Sequence, residues 1–297
     1  MTVFSGVFTA LVTPFKDGRV DERAFQELVE RQVAAGVQGL IPVGTTGESA
    51  TLDIDEHWRL FELCVEVARG RSLVAAGCGS NDTRSAIRHL HQAKAVGCDA
   101  ALVVAPYYNK PSQAGLIAHF NALCEAVQLP LIVYNIPGRT GVDIQPATFA
   151  EIARHPNVVA LKDSAGDPSR TALHKALAPA EIAYLAGDDA LALGFAAYGA
   201  TGVVSVLSNI LPGLTVELQR LLAAGDYAGA RALNQKLDPL QRALFLDPNP
   251  APAKFALAEL GLCEPDVRLP LVGPSASTQA AVRQALQDLA AEFGALA

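Results

Sequence analysis

A chain of 297 residues, 51% of them hydrophobic, can bury the core of one large α/β domain or of a domain with an appendage, and is short for two independent domains. Its 23 lysines and arginines against 30 acidic residues give a formal charge of -7, which excludes a nucleic-acid surface. The longest apolar runs, such as Val203–Leu207, are far too short to cross a bilayer, so no membrane partner is expected.

The opening residues Met1-Thr2-Val3-Phe4-Ser5-Gly6 lead almost directly into an apolar run, without the basic region and apolar stretch of a signal peptide, so a cytoplasmic location is expected. Short apolar runs then recur at Val7–Val12, Gly39–Gly44, Leu73–Ala76, Ala101–Ala105, Leu131–Tyr134, Val158–Leu161, Ile182–Ala186 and Val203–Leu207. The segments between them carry helical patterning. After Asp21, which reads as a cap, Phe25, Leu28 and Val29 form an apolar stripe, and Asp53, Asp82 and Ser112 read as further N-caps. Gly36, Gly70 and Gly97 stand where a helix should stop before the next strand. Eight strand–helix units predict a closed (β/α)₈ TIM barrel rather than an open doubly wound sheet. Beyond Asn209 the pattern is helical only, through Leu211–Leu222, Tyr227–Leu246, Lys254–Leu260 and Gln279–Phe293. The expected organisation is therefore a barrel over residues 1–224 and a helical appendage over 225–297, the latter serving packing or assembly.

In such barrels chemistry gathers at the carboxyl ends of the strands. Here those ends carry Gly44-Thr45-Thr46-Gly47-Glu48, Pro106-Tyr107-Tyr108-Asn109, Tyr134-Asn135 with Arg139 beyond, Lys162, and Gly187-Asp188-Asp189. Lys162 closes the run Val158-Val159-Ala160-Leu161, which reads as a strand covered on both faces. Burial disfavours an ammonium and leaves part of the amine as the free base, the form that attacks carbonyls. The Tyr134 phenol, one strand away, is a candidate acid–base group, and the Gly-Thr-Thr-Gly turn is a neutral cradle of N–H groups and hydroxyls suited to a small carboxylate. The six histidines, His57, His89, His91, His119, His155 and His174, fall in predicted helices or at their ends and read as surface or packing residues. His89 and His91 are two apart on a helix and diverge, so they do not form a chelate. The five cysteines are scattered and form no metal motif, and Gly77-Cys78-Gly79-Ser80 lacks both the phosphate-loop lysine and the dinucleotide spacing and reads as a tight turn. A lysine mechanism with no metal and no cofactor follows.

Val12-Thr13-Pro14-Phe15, Val43–Ser49, Pro106–Pro111, Tyr134–Gly141, Leu161-Lys162-Asp163, Gly187-Asp188-Asp189 and Asn249–Lys254 together resemble the dihydrodipicolinate synthase family, within the wider pyruvate aldolase and N-acetylneuraminate lyase superfamily, over the whole length of the chain. The resemblance implies a Schiff-base condensation of pyruvate with L-aspartate 4-semialdehyde in lysine biosynthesis. It implies that Lys162 is the Schiff-base lysine, Tyr134 the acid–base tyrosine, and Thr45 and Tyr108 the rest of a hydroxyl relay. Thr46 would hold the pyruvate carboxylate, Gly187 and Val204 would border the substrate, and Arg139 would bind the semialdehyde carboxylate. Arg139 also separates this reading from relatives acting on sugar acids. The resemblance further implies a homotetramer, a dimer of tight dimers in which Tyr108 reaches the neighbouring site. Departures are Asp163 and Val204, where many relatives carry glutamate and isoleucine. Ser49, Ala50, His57, Asn81 and Tyr107 match the L-lysine effector site of inhibited members, whereas Ile54 replaces a histidine and Ser85 a glutamate.

Overall fold

The computed structural model describes residues 4–296; Met1, Thr2 and Val3 of the opening segment lie outside the described residues. Eight parallel strands close into a barrel in sequential order: β1 (Gly6–Ala10), β2 (Gly39–Ile41), β3 (Leu73–Gly77), β4 (Ala100–Val104), β5 (Leu131–Asn135), β6 (Val158–Asp163), β7 (Ala183–Ala186) and β8 (Gly202–Ser205), with β8 paired back onto β1. All eight coincide with the apolar runs of the sequence. The first differs in length: Leu11 and Val12 lie buried beyond its end, where the Leu11 N–H still donates to Ile41 O at 3.0 Å and the Val12 N–H turns instead to Asn209 Oδ1 at 3.2 Å.

Strand side chains alternate between two faces, and the barrel sorts them into two cores. Phe8, Ile41, Leu102, Ile132, Leu185 and Val204 fill the interior together with a series of alanines at 10, 75, 100, 160 and 183. The opposite face, including Val7, Leu40, Val74, Val103, Val133 and Leu161, packs on the surrounding helices. The predicted stripe Phe25, Leu28 and Val29 is buried on the helix Glu22–Ala34, whose cap Asp21 accepts from the Ala24 N–H at 3.0 Å. Asp53, Asp82 and Ser112 cap their helices as expected, Asp53 within a reciprocal capping box with Glu56. Gly36, Gly70 and Gly97 each take the left-handed backbone of a helix stop.

The helices Pro212–Ala223, Tyr227–Ala243, Ala251–Glu259 and Ala276–Phe293 follow the barrel. A single apolar cluster containing Leu218, Leu222, Leu237, Leu257 and Leu286 also takes in Val12, Leu28 and Leu207, so this core runs without a break across residues 224 and 225. The helix Ala251–Glu259 is buried nearly all round, and its Lys254 is fully enclosed.

Candidate active site

Lys162 lies inside β6, one residue before its end, because the ladder extends to pair Asn135 with Asp163 and Asp163 with Ala186. Tyr134 and Lys162 are register partners on adjacent strands, and strand alternation puts both on the interior face. Both are buried, and Lys162 Nζ sits 3.8 Å from the centroid of the Tyr134 ring. The neighbouring carboxylate does not neutralise the amine. Asp163 points to the opposite face, where it accepts from Asn135 Nδ2 at 3.1 Å and from the Ala165 N–H at 3.0 Å, and pairs with Arg170 at 3.4 Å. Burial pushes the Asp163 pKa up, but the nearby His174 and these donors outweigh it and hold the carboxyl below its ordinary range. Among the described residues Lys162 has no carboxylate partner within salt-bridge distance.

The loop after β2 overhangs this pair. Val43 (φ 56°) and Glu48 (φ 54°) both adopt the left-handed region, which non-glycine residues rarely occupy, and the turn is closed by the Gly47 N–H donating to Gly44 O at 3.1 Å and Thr13 Oγ1 donating to Gly47 O at 2.7 Å. Among the described residues the amides of Thr45 and Thr46 donate to no other part of the chain. Thr46 is buried, and its Oγ1 accepts from Asn249 Nδ2 at 2.9 Å.

Two spaces that share Thr45, Ser49, Gly79 and Val104 in their walls lie at this end of the barrel. The outer, a cavity of about 370 Å³, is lined by Thr45, Glu48, Tyr107, Arg139 and Asn249 among others. The inner, about 40 Å³, is bounded by Thr45, Gly77, Gly79, Leu102 and Tyr134. Gly77 and Gly79, read from sequence as part of a tight turn, serve close approach instead. A Cβ on Gly77 would meet the Val43 carbonyl oxygen at 2.1 Å, and one on Gly79 would meet Val104 Cγ1 at 2.6 Å. Lys162 lines neither space and lies beside the Tyr134 ring. Thr45, Thr46, Tyr134, Arg139 and Lys162 are thus drawn to one end of the barrel. Val204 faces the interior in register with Phe8, and the Gly187 N–H donates to Asp163 O at 2.9 Å, with no room for a Cβ against Ser164 Oγ. Tyr108 stands apart: its side chain projects from the surface, 88% exposed, on a backbone with φ 73°. Asp189 turns away from the mouth to accept from Ser205 Oγ and the Val206 and Leu207 N–H groups, and burial raises its pKa.

The Dihydrodipicolinate synthetase family model matches residues 3–289. The chain belongs to that family. A 4-hydroxy-tetrahydrodipicolinate synthase of Hyphomonas neptunium is 52% identical over 286 residues, covering 96% of this chain and 98% of the relative, and one of Phenylobacterium zucineum is 50% identical over 96% and 97%. The solved 4-hydroxy-tetrahydrodipicolinate synthase of the methanotroph Methylacidiphilum fumariolicum SolV superposes with a TM-score of 0.96 at 40% identity, covering 98% of this chain and 97% of that one. The barrel expected from the strand count is therefore the family's barrel.

Ser49, Ala50, His57 and Tyr107, the residues similar to the family's effector site, line a second cleft of about 190 Å³. Asn81 does not line it; its backbone carbonyl accepts from Asn109 Nδ2 at 2.8 Å. Ile54 also lines it, as do Ser85, Arg88 and His89, at the spacing that places these three on one helix face. Ser85 Oγ donates to Asp82 Oδ2 at 2.8 Å and accepts from Arg88 Nη2 at 3.0 Å, so this side of the cleft carries a guanidinium. His57 donates from Nε2 to Gly77 O at 2.9 Å and stacks on His89 at 4.2 Å. Burial, then His89, pulls the His57 pKa down to about 4, and burial does the same to His119. The unfolded chain therefore takes up more protons than the folded one between about pH 6.5 and 4, and the stability present in full above pH 6.5 is lost as pH falls through that window. The urea midpoint should drop between pH 7 and pH 5, and His119→Gln should flatten the slope; equal midpoints at the two pH values would contradict it.

Proposed function

We propose that this chain is a lyase of the 4-hydroxy-tetrahydrodipicolinate synthase type, joining pyruvate to L-aspartate 4-semialdehyde through a Schiff base on Lys162. The carrying observation is the buried Lys162 amine, without a carboxylate partner, 3.8 Å from the Tyr134 ring at the cavity end of the barrel. The amine adds to the pyruvate carbonyl and water leaves. The iminium is a better electron sink than the ketone, so a methyl proton can be removed without a metal, giving an enamine. Its carbon attacks the aldehyde and forms the new C–C bond. The amino group of the semialdehyde then attacks the imine carbon, closes the ring and releases the lysine. Tyr134 relays protons with Thr45 and the Tyr108 hydroxyl, and Thr46 with its neighbouring amides holds the pyruvate carboxylate. The exposure of Tyr108 supports its donation to a second copy, and we place the working enzyme as a tetramer of tight dimers in the cytoplasm.

Arg139, exposed on the cavity wall, is suited to a bidentate grip on the semialdehyde carboxylate. A coupled assay comparing aspartate semialdehyde with sugar-acid acceptors tests the substrate, with the semialdehyde the preferred one. Arg139→Ala should raise the semialdehyde KM about tenfold with a smaller effect on pyruvate. An unchanged semialdehyde KM would make the arginine structural and favour a sugar-acid substrate.

Inhibition by L-lysine should be weak or absent, because the effector ammonium would meet Ser85 and Arg88 rather than a carboxylate. Loss of that charge-assisted bond costs about 1–3 kcal/mol, or roughly one to two orders of magnitude in affinity. Initial rates at saturating pyruvate should hold through sub-millimolar lysine, and Ser85→Glu should gain inhibition. Strong inhibition of the unaltered enzyme in that range refutes the argument.

A further inference from the structure

Glu48 stands two residues after Thr46 and lines the outer cavity, yet both of its carboxylate oxygens are engaged on the far side. Oε1 accepts from Lys254 Nζ at 2.7 Å and Oε2 from the Arg268 backbone N–H at 3.0 Å. The pair is sealed from solvent, with side-chain exposures of 0% for Lys254 and 1% for Glu48. Lys254 Nζ lies 4.0 Å from the Phe15 ring centroid, and the Arg268 guanidinium lies 4.3 Å from the same centroid. That guanidinium is bidentate to Glu56 and also donates to the Thr51 and Gly18 carbonyls. The loops after β1 and β2 are thereby knotted to the helix Ala251–Glu259 and to the segment that follows it. Asn249, at the head of the same helix, makes a second tie to the same loop through Thr46.

A buried ion pair is a weak means of stabilising a fold, because both ions lose their hydration and an apolar pair of similar shape often does as well. What it supplies is register: one carboxylate, held in a backbone region few residues tolerate, meets one amine 206 positions away. It also places a cation against a carboxylate on the wall of the cavity that Thr45 and Arg139 line. We infer that Glu48 and Lys254 are positioning residues for that acid, their ion pair fixing the Gly44–Ser49 loop, and with it Thr45 and Thr46, while cancelling a negative charge on the cavity wall. This rests on the reading of Thr46 as the contact of the pyruvate carboxylate.

Steady-state kinetics of Lys254→Met, Glu48→Gln and the double variant test it. Lys254→Met leaves Glu48 uncompensated, frees the Gly44–Ser49 loop and should raise the pyruvate KM about tenfold, with a clearly smaller rise in the semialdehyde KM, because Arg139 lines the same cavity but is carried by the segment after β5. The double variant removes both charges and should recover part of that loss, and Lys254→Arg should recover more. A purely structural pair would lower the unfolding midpoint and the yield of active enzyme and leave both KM values at the wild-type level, which would overturn the inference. If Lys254→Met does not fold, Glu48→Gln decides: a rise of a few fold in the pyruvate KM, larger than any in the semialdehyde KM, supports the proposal, and an unchanged pyruvate KM overturns it. Wild-type protein that cannot be trapped with pyruvate and borohydride would sink the functional reading itself; trapping in wild type with unaltered KM values in the variants sinks only this inference.

Discussion

Borohydride added to the protein with pyruvate should leave a reduced pyruvyl adduct on Lys162, and Lys162→Ala should abolish it while the protein remains folded. The expectation is specific because, among the described residues, two lysines are buried and only one has no carboxylate partner. Lys254 is held by Glu48 at 2.7 Å, so attack by its nitrogen would first have to break a buried ion pair. Lys162 has the Tyr134 ring beside it, and its neighbour Asp163 is committed to Arg170 and Asn135 on the other face of the strand. Removing the amine removes the covalent route, so turnover should fall below detection. Peptide mass spectrometry reads the result, and an adduct on Lys110 or Lys254, or none on folded protein, would withdraw the central assignment.

Tyr108→Phe should lower kcat about a hundredfold while pyruvate trapping persists, since the lost hydroxyl moves protons rather than binding the acid. The geometry adds a sharper test. Tyr108 is 88% exposed on its own subunit, so its hydroxyl should act on the partner's site. Lys162→Ala should be inactive and Tyr108→Phe should keep about a hundredth of the turnover, but a hybrid dimer carrying one of each should regain activity at about half of its sites, the one with an intact lysine receiving the intact tyrosine of the other subunit. If the tyrosine served its own subunit, every site of the hybrid would lack one group, and mixing would restore nothing.

Most of the scaffold could be read from the chain because the signals are local. Eight apolar runs, aspartate and serine caps, and glycines at helix stops are set within a few residues of each other, and each stands where the reading put it. Lys162 was visible for the same reason, as a charge in an apolar run. Lys254 carries that same signal, between Ala253 and Phe255 in a helix buried nearly all round, but its role depends on Glu48, and no local pattern joins residues 206 apart. The bond between Asn249 and Thr46 was hidden in the same way, and with it the part the appendage plays beside the site. Gly77 and Gly79 misled because glycine answers both to turns and to close contact, and only the position of Val43 and Val104 separates the two. Arg88 and His89 were within reach, three and four residues after Ser85 on a predicted helix.

The cavity above the barrel and the cleft beside it are built on the same partition, to which Ser49, Ala50, Gly79 and Tyr107 each present a surface on both sides. Two compartments with one partition are thermodynamically linked wherever filling one of them moves the shared wall. A molecule that shifts the Tyr107 ring to make room on one side changes the room on the other, and by reciprocity a substrate alters affinity in the cleft by the same factor that an occupant of the cleft alters affinity for substrate. In this chain the partition stands while the cleft's outer side carries Ser85 and Arg88, so the element that would transmit a signal is separable from the groups that choose which signal is received.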